Sequence, residues 1–131
     1  MNDCIFCKIV NGEIPCYKVY EDADFLAFLD ITQTTKGHTL VIPKEHVRNI
    51  LSCDERIVAK THELVAKLAK EICEKLGANG VNILNNNEEV AGQSVFHYHV
   101  HIIPRYDDTD TITIKFQESK VNIDEVYEIL K

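Results

Sequence analysis

The stretch FHYHVHIIPR, residues 96–105, gives every second position between 97 and 101 to histidine and the positions between to Tyr and Val. Side chains of an extended chain alternate between two faces, so the spacing predicts a strand with His97, His99 and His101 on one face. Phe96, Tyr98, Val100 and Ile102 then share the other face and pack on a helix. Alternate residues lie about 6.5–7 Å apart, close enough for the rings to converge on one small ligand. Leaving three polar rings buried and unpaired costs about 1–3 kcal/mol each, so a shared purpose is expected of them. Imidazole serves as nucleophile, acid, base or metal ligand near neutral pH. Two readings follow: a three-histidine metal site, or a phosphate-handling nucleophile with supporting imidazoles.

The rest of the chain supplies the helix. Ser52 is placed to cap it, with Glu55 completing a capping box. Ile57, Thr61, Leu64, Val65, Leu68, Ile72 and Leu76 then recur at helical spacing until Gly77. Tyr17–Glu21, Phe25–Asp30, His38–Ile42, Val81–Asn85 and Ser94–Ile103 read as strands, the last ended by Pro104. Too few helices alternate with them to cover a parallel sheet. The fold class expected is therefore α+β: a five-stranded antiparallel sheet, one long central helix, and short terminal helices near Cys7–Val10 and Ile123–Leu130. With 131 residues, no linker and no repeat, the chain is expected to be one domain, residues 1–131.

Composition removes several classes of function. The formal charge is −7 and the basic residues are scattered, so nucleic acid is not an expected partner. A small anion in a local pocket remains compatible with a screened field. No apolar run approaches the roughly 18–20 residues that span a bilayer, and MNDCIFCKIV lacks a secretion pattern, so a cytoplasmic protein without a membrane partner is expected. Five cysteines, an odd count, argue for reduced thiols.

Cys4 and Cys7 form a Cys-x-x-Cys pair, a spacing that suits a zinc ion, a redox couple or an unremarkable apolar pair. Zinc is preferred, because a redox pair usually opens a helix inside a βαβ unit. Two further ligands must come from afar, with His46 and one histidine of the trio as candidates; His62, in mid-helix, is more simply a solvated residue. Cys16, Cys53 and Cys73 read as small hydrophobes or surface thiols. The loop NNNEEVAGQSV, ahead of the histidines, offers Asn86, Gln93, Ser94 and backbone amides to phosphate oxygens.

Taken together, HYHVHII, CIFCKI, AFLDI, GHTLVIPKEH, NNN and AGQS resemble, in order, the histidine-triad family of nucleotide hydrolases and transferases. The resemblance covers about residues 4–106 and leaves the tail 107–131 unread. It implies a homodimer that binds a purine nucleotide beside the histidine strand. His99 would be the nucleophile attacking the α-phosphorus, with His101 binding phosphate and moving protons. His38 would lie in the same hydrogen-bonded set, and His97 would complete the triad. Asp30 would contact ribose, and Ile5, Phe6, Ile9 and Ile31 would wall the base pocket, while Asn86, Gln93 and Ser94 match phosphate-contacting positions. Family members that carry zinc use positions matching Cys4, Cys7, His46 and His97, a structural site with no role in the chemistry. The implied activity is cleavage of nucleoside 5′-phosphoramidates or related nucleotidyl compounds, releasing a monophosphate such as AMP. Alternatives are a dinucleoside polyphosphate hydrolase, a zinc hydrolase using all three histidines, and a purine-nucleotide-binding regulator without catalysis.

Overall fold

A computed structural model describes residues 3–131. In chain order it contains α1 (Ile5–Val10), β1 (Lys18–Glu21), β2 (Phe25–Leu29), β3 (Thr39–Pro43), α2 (Glu55–Leu76), β4 (Gly80–Leu84), β5 (Val100–Arg105) and α3 (Ile123–Leu130). The strands form one antiparallel sheet in the order β1-β2-β3-β5-β4. This is the α+β architecture expected from the sequence.

The sheet is covered on both faces. Thr61, Leu64, Val65, Leu68, Ala69 and Ile72 are the buried stripe of α2. Leu64, Val65, Leu68, Ala69 and Ile72 meet Phe25, Ala27, Val41, Tyr98, Val100 and Ile102. On the opposite face Phe6, from α1, packs into Leu26, Phe28, Leu40 and Ile42. That double cover is why β2 and β3 read as near-continuous apolar runs instead of alternating ones. Each fully buried Leu, Ile or Phe contributes about 1.5–3 kcal/mol of transfer free energy.

Most element bounds fall within a residue or two of expectation, and two differences have consequences. Asp54, not Ser52, caps α2, its carboxylate accepting the Arg56 amide. Ser52 belongs to a separate 3₁₀ turn, Ile50–Ser52, capped by Asn49, and the extended Cys53 breaks the path between the two. The helix ends as expected at Gly77, whose φ of 71° is the left-handed conformation glycine adopts without steric cost.

The second correction concerns the histidines. β5 starts at Val100, not Ser94, and runs through Pro104 instead of stopping before it. Ahead of Val100 the chain leaves the sheet ladder: Tyr98 donates its amide to the Val47 carbonyl at 2.7 Å, and Asn85 donates to the His99 carbonyl at 2.9 Å. Pro104 is tolerated because the pairing of β5 with β3 has already ended at Thr39–Ile102, so its missing N–H costs no bond there. The alternation of faces nevertheless persists: Tyr98, Val100 and Ile102 lie in the α2 core. Phe96 departs from that face and lies under the Arg48 guanidinium, 4.3 Å from the ring centroid.

Candidate active site and metal centre

The first cluster joins the start of the chain to its middle. Cys4 caps α1, its sulfur accepting the Cys7 amide at 3.3 Å, so one turn of helix brings the two thiols together. His97 Nδ1 lies 3.4 Å from Cys4 Sγ and 3.6 Å from Cys7 Sγ, and His46 Nδ1 lies 3.3 Å from Cys7 Sγ. The four ligand atoms are all within 4.8 Å of one another. Tetrahedral zinc with sulfur at about 2.3 Å and nitrogen at about 2.0–2.1 Å requires S···N edges of about 3.5 Å, and the observed edges match. The tautomer matches too: His97 Nε2 faces the Pro43 carbonyl at 2.8 Å, so that nitrogen carries the proton and Nδ1 is bare. Burial pushes the Cys7 thiol up to about 11, with Cys4 beside it adding to the effect, and burial pushes His97 down to about 4. A divalent cation reverses the first tendency and suits the second.

The second cluster holds three further imidazoles, His38, His99 and His101. His99 Nδ1 faces the His97 carbonyl at 2.7 Å; a carbonyl only accepts, so Nδ1 carries the proton and Nε2 is bare. His38 Nδ1 accepts the Thr34 amide at 3.3 Å, which leaves its proton on Nε2, 2.9 Å from His101 Nδ1. His101 therefore carries its own proton on Nε2, the side of the ring away from His38. The His99 and His101 rings are 5.0 Å apart between centroids. Asp30 Oδ2 sits 3.7 Å from His38 Nε2. Burial lowers the affinity of His38, His99 and His101 for a second proton, His101 down to about 4 with His99 and His38 as neighbours adding to the effect. All three are held neutral at pH 7.

The remaining expected residues divide. Phe6 stands edge-on to His99 at 5.1 Å and also packs on Phe28 at 5.4 Å, so it is core and site wall at once. Ile9 is half-buried, Ile5 is exposed, and Ile31 is 87% exposed, an open flank. Asn86 and the exposed Ser94 border the turn at Gly92, with Asn86 Nδ2 3.5 Å from the Gly92 carbonyl. Gln93 departs from its expected position at a phosphate. Its Oε1 accepts from Asn49 at 3.0 Å and from the Glu88 amide at 2.8 Å, and its Nε2 donates to the carbonyls of Arg48 and Val95. The whole amide is engaged within the protein.

Sequence reading passed over the fixing atoms: the Thr34 amide and the His97 and Pro43 carbonyls have no side-chain signature. It also passed over Arg48, one of the scattered basic residues, and gave Asn49 and Glu88 no role. One signal was present, a polar Asn49 directly before the apolar Ile50-Leu51 pair.

A carbonyl-oriented bare imidazole nitrogen, a neighbouring imidazole N–H and a polar loop on one side of an antiparallel sheet make a site for attack on a phosphorus or acyl centre. Comparison with known proteins places it more narrowly. The HIT domain family matches residues 11–108. The Bacillus subtilis protein named Protein hit is 57% identical over 104 residues, covering 79% of this chain and 72% of that one. An adenosine 5′-monophosphoramidase of Schizosaccharomyces pombe is 50% identical over 102 residues, covering 78% and 74%. An adenylylsulfatase of Arabidopsis thaliana is 43% identical over 104 residues, covering 79% of this chain and 53% of that one. Among solved structures, a Streptococcus mutans protein superposes with a TM-score of 0.91 at 52% identity, covering 98% and 82%. A zinc-bound histidine triad family protein of Mycobacterium smegmatis gives 0.80 at 38% identity, covering 91% and 86%. The chain belongs to the HIT domain family, some of whose members are nucleotide hydrolases.

Proposed function

We propose that this protein hydrolyses nucleoside 5′-phosphoramidates, or related nucleotidyl compounds, at the α-phosphorus through a covalent intermediate on His99. The single observation that carries the reading is the 2.7 Å contact between His99 Nδ1 and the His97 carbonyl, which leaves Nε2 unprotonated. A proton on Nε2 would make the ring useless as a nucleophile.

In the first step His99 Nε2 bonds to phosphorus and the P–N bond to the leaving amine breaks, the amine taking a proton from solvent that the water attacking in the second step gives back. His101 Nε2–H stabilises the phosphoryl oxygens, and loop amides near Gly92 and Ser94 meet the charge that develops there. In the second step water bonds to phosphorus, the P–N bond to His99 breaks, and the monophosphate leaves with neutral His99 restored. His38 fixes the His101 ring, and Asp30, 3.7 Å from His38 Nε2, would accept from a ribose hydroxyl. Phe6, with Ile5, Ile9 and Ile31, offers the purine an apolar flank open on one side. The relatives support this substrate class: the fission yeast enzyme is named for an adenosine phosphoramidate and the plant enzyme for an adenylylsulfate. Adenylyl transfer to an imidazole is one intermediate that accounts for both.

Cys4, Cys7, His46 and His97 would hold a structural zinc ion, which supplies a cross-link between the N-terminal segment and the histidine segment. Four protein ligands leave no open coordination position for a substrate. The family reading further implies a cytoplasmic homodimer whose 131 residues are one domain.

The test is mass spectrometry of a reaction with adenosine 5′-phosphoramidate quenched in the steady state. Wild type is expected to carry an AMP adduct on the peptide containing His99, whereas His99→Ala carries none and turns over at least about 10⁴-fold more slowly. Consumption of substrate by wild type with no adduct at any quench time would falsify covalent catalysis.

A further inference from the structure

Glu88 occupies a backbone conformation, φ 79° and ψ 157°, that is close to glycine-only territory. It is the one non-glycine residue with positive φ among the described residues. Something must hold it there, and its carboxylate shows what. Arg48 grips it through two parallel bonds, Nε and Nη2 each at 2.8 Å, and Asn49 Nδ2 adds a third at 2.8 Å. Asn49 is 1% exposed and Gln93 3% exposed. Asn49 also donates to Gln93 Oε1, which accepts the Glu88 amide, while the Gln93 amide returns to the Glu88 carbonyl at 3.1 Å. Asn87 fastens the same loop to the Ile50 amide at 2.8 Å.

We propose that Glu88 is a positioning residue: its carboxylate, anchored on Arg48 and Asn49, sets the backbone of the Gly92–Ser94 turn that leads into the histidine segment. The proposal rests on the hydrolase reading above. A glycine at position 88 would adopt this backbone without strain, so the cost of a carboxylate-bearing residue there has to be offset by what the carboxylate does. The anchor is well chosen. Arg48 stacks on Phe96, immediately before the histidine segment, and the Val47 carbonyl accepts the Tyr98 amide. Loop, anchor and nucleophile are thereby referred to one short segment, residues 47–49, instead of to each other across solvent.

Glu88→Gly separates the backbone from the carboxylate, because it keeps the φ value accessible and removes the anchor. Its amides at positions 89–95 are expected to exchange with deuterium at least about tenfold faster than in wild type, with those of α2 unchanged. With adenosine 5′-phosphoramidate, kcat is expected to fall at least about tenfold and KM to rise by less, because the turn meets charge that develops in the transition state. The thermal midpoint should move little. Glu88→Gln, which can still accept from Arg48 but repels one of the donors, is expected to lie between the two and serves if the glycine variant is too soft. A role in folding alone would lower the midpoint and leave kcat per folded molecule unchanged, which would overturn the proposal. Unchanged exchange at 89–95 would overturn it as well. If wild type itself does not hydrolyse the phosphoramidate, the hydrolase reading fails separately, and the exchange measurement still decides whether the carboxylate sets this turn.

Discussion

His97, His99, His38 and His101 have the same side chain, and their partners set His99 apart: it alone carries its proton on Nδ1, whereas the other three carry theirs on Nε2. The Pro43 carbonyl accepts from His97 Nε2–H, the His97 carbonyl accepts from His99 Nδ1–H, and the Thr34 amide forces the His38 proton onto Nε2. Neutrality is part of that design, and it has a pH signature. Burial holds His101 down at about 4 and lowers His38 as well, against an ordinary value of about 6.5 in the unfolded chain. Between those values the unfolded chain takes up protons that the folded one refuses, so the contribution is fully present above about pH 6.5 and declines as pH falls toward 4. Urea midpoints of the apo protein at pH 7.0, 5.5 and 4.5 are expected to fall in that order; a midpoint that rises on acidification would contradict the assignment. The trio was legible from the sequence because alternation is a side-chain pattern. The tautomers were not, since the atoms that set them are main-chain amides and carbonyls.

At the level of elements, helix periodicity was read almost to the residue at Leu76 and Gly77, and the first four strands began within a residue of expectation, while the start of β5 was missed. Alternating hydrophobicity persists from Tyr98 to Ile102 although the ladder begins only at Val100, because side-chain facing depends on local φ and ψ and pairing depends on a partner strand. Gln93 shows a related limit: its polarity was visible, but not that four internal partners would consume it. Two outcomes belong here. Leu68, 2% exposed at the centre of the α2 stripe, is expected to cost about 2–5 kcal/mol when cut to alanine, read from denaturant midpoints at constant m. At Gly37, φ 95°, an added Cβ would run into Leu76 Cδ1 and stand 3.3 Å from Pro104 Cγ. Gly37→Ala should therefore destabilise by about 1–3 kcal/mol, on strain and crowding together.

For the molecule as a whole, the five-stranded sheet separates two jobs: α2 supplies the larger core on one face, and α1 with the imidazoles occupies the other. The net charge of −7 is spread over the surface, and the chain is expected to pass unretained through immobilised heparin at 0.1 M salt, the elution volume being the measurement. Metal analysis is expected to return one zinc per chain for wild type and none for Cys7→Ser, with the variant melting at lower temperature because the link between α1 and His97 is lost. The tail resisted reading: α3 is amphipathic yet buries no residue, so its pattern forms a helix without saying what it meets.

Phe6 has its ring edge-on to His99 while its own helix is tied down by the two thiols that flank it in sequence. Helix α1 thus works as a doorstop behind the His99 ring, and disturbance of the two thiols is expected to reach that imidazole through Phe6. A fluorophore or affinity handle joined directly ahead of Cys4 would be felt in turnover, whereas the same label beyond Leu130 would ride on α3, a helix without a buried residue.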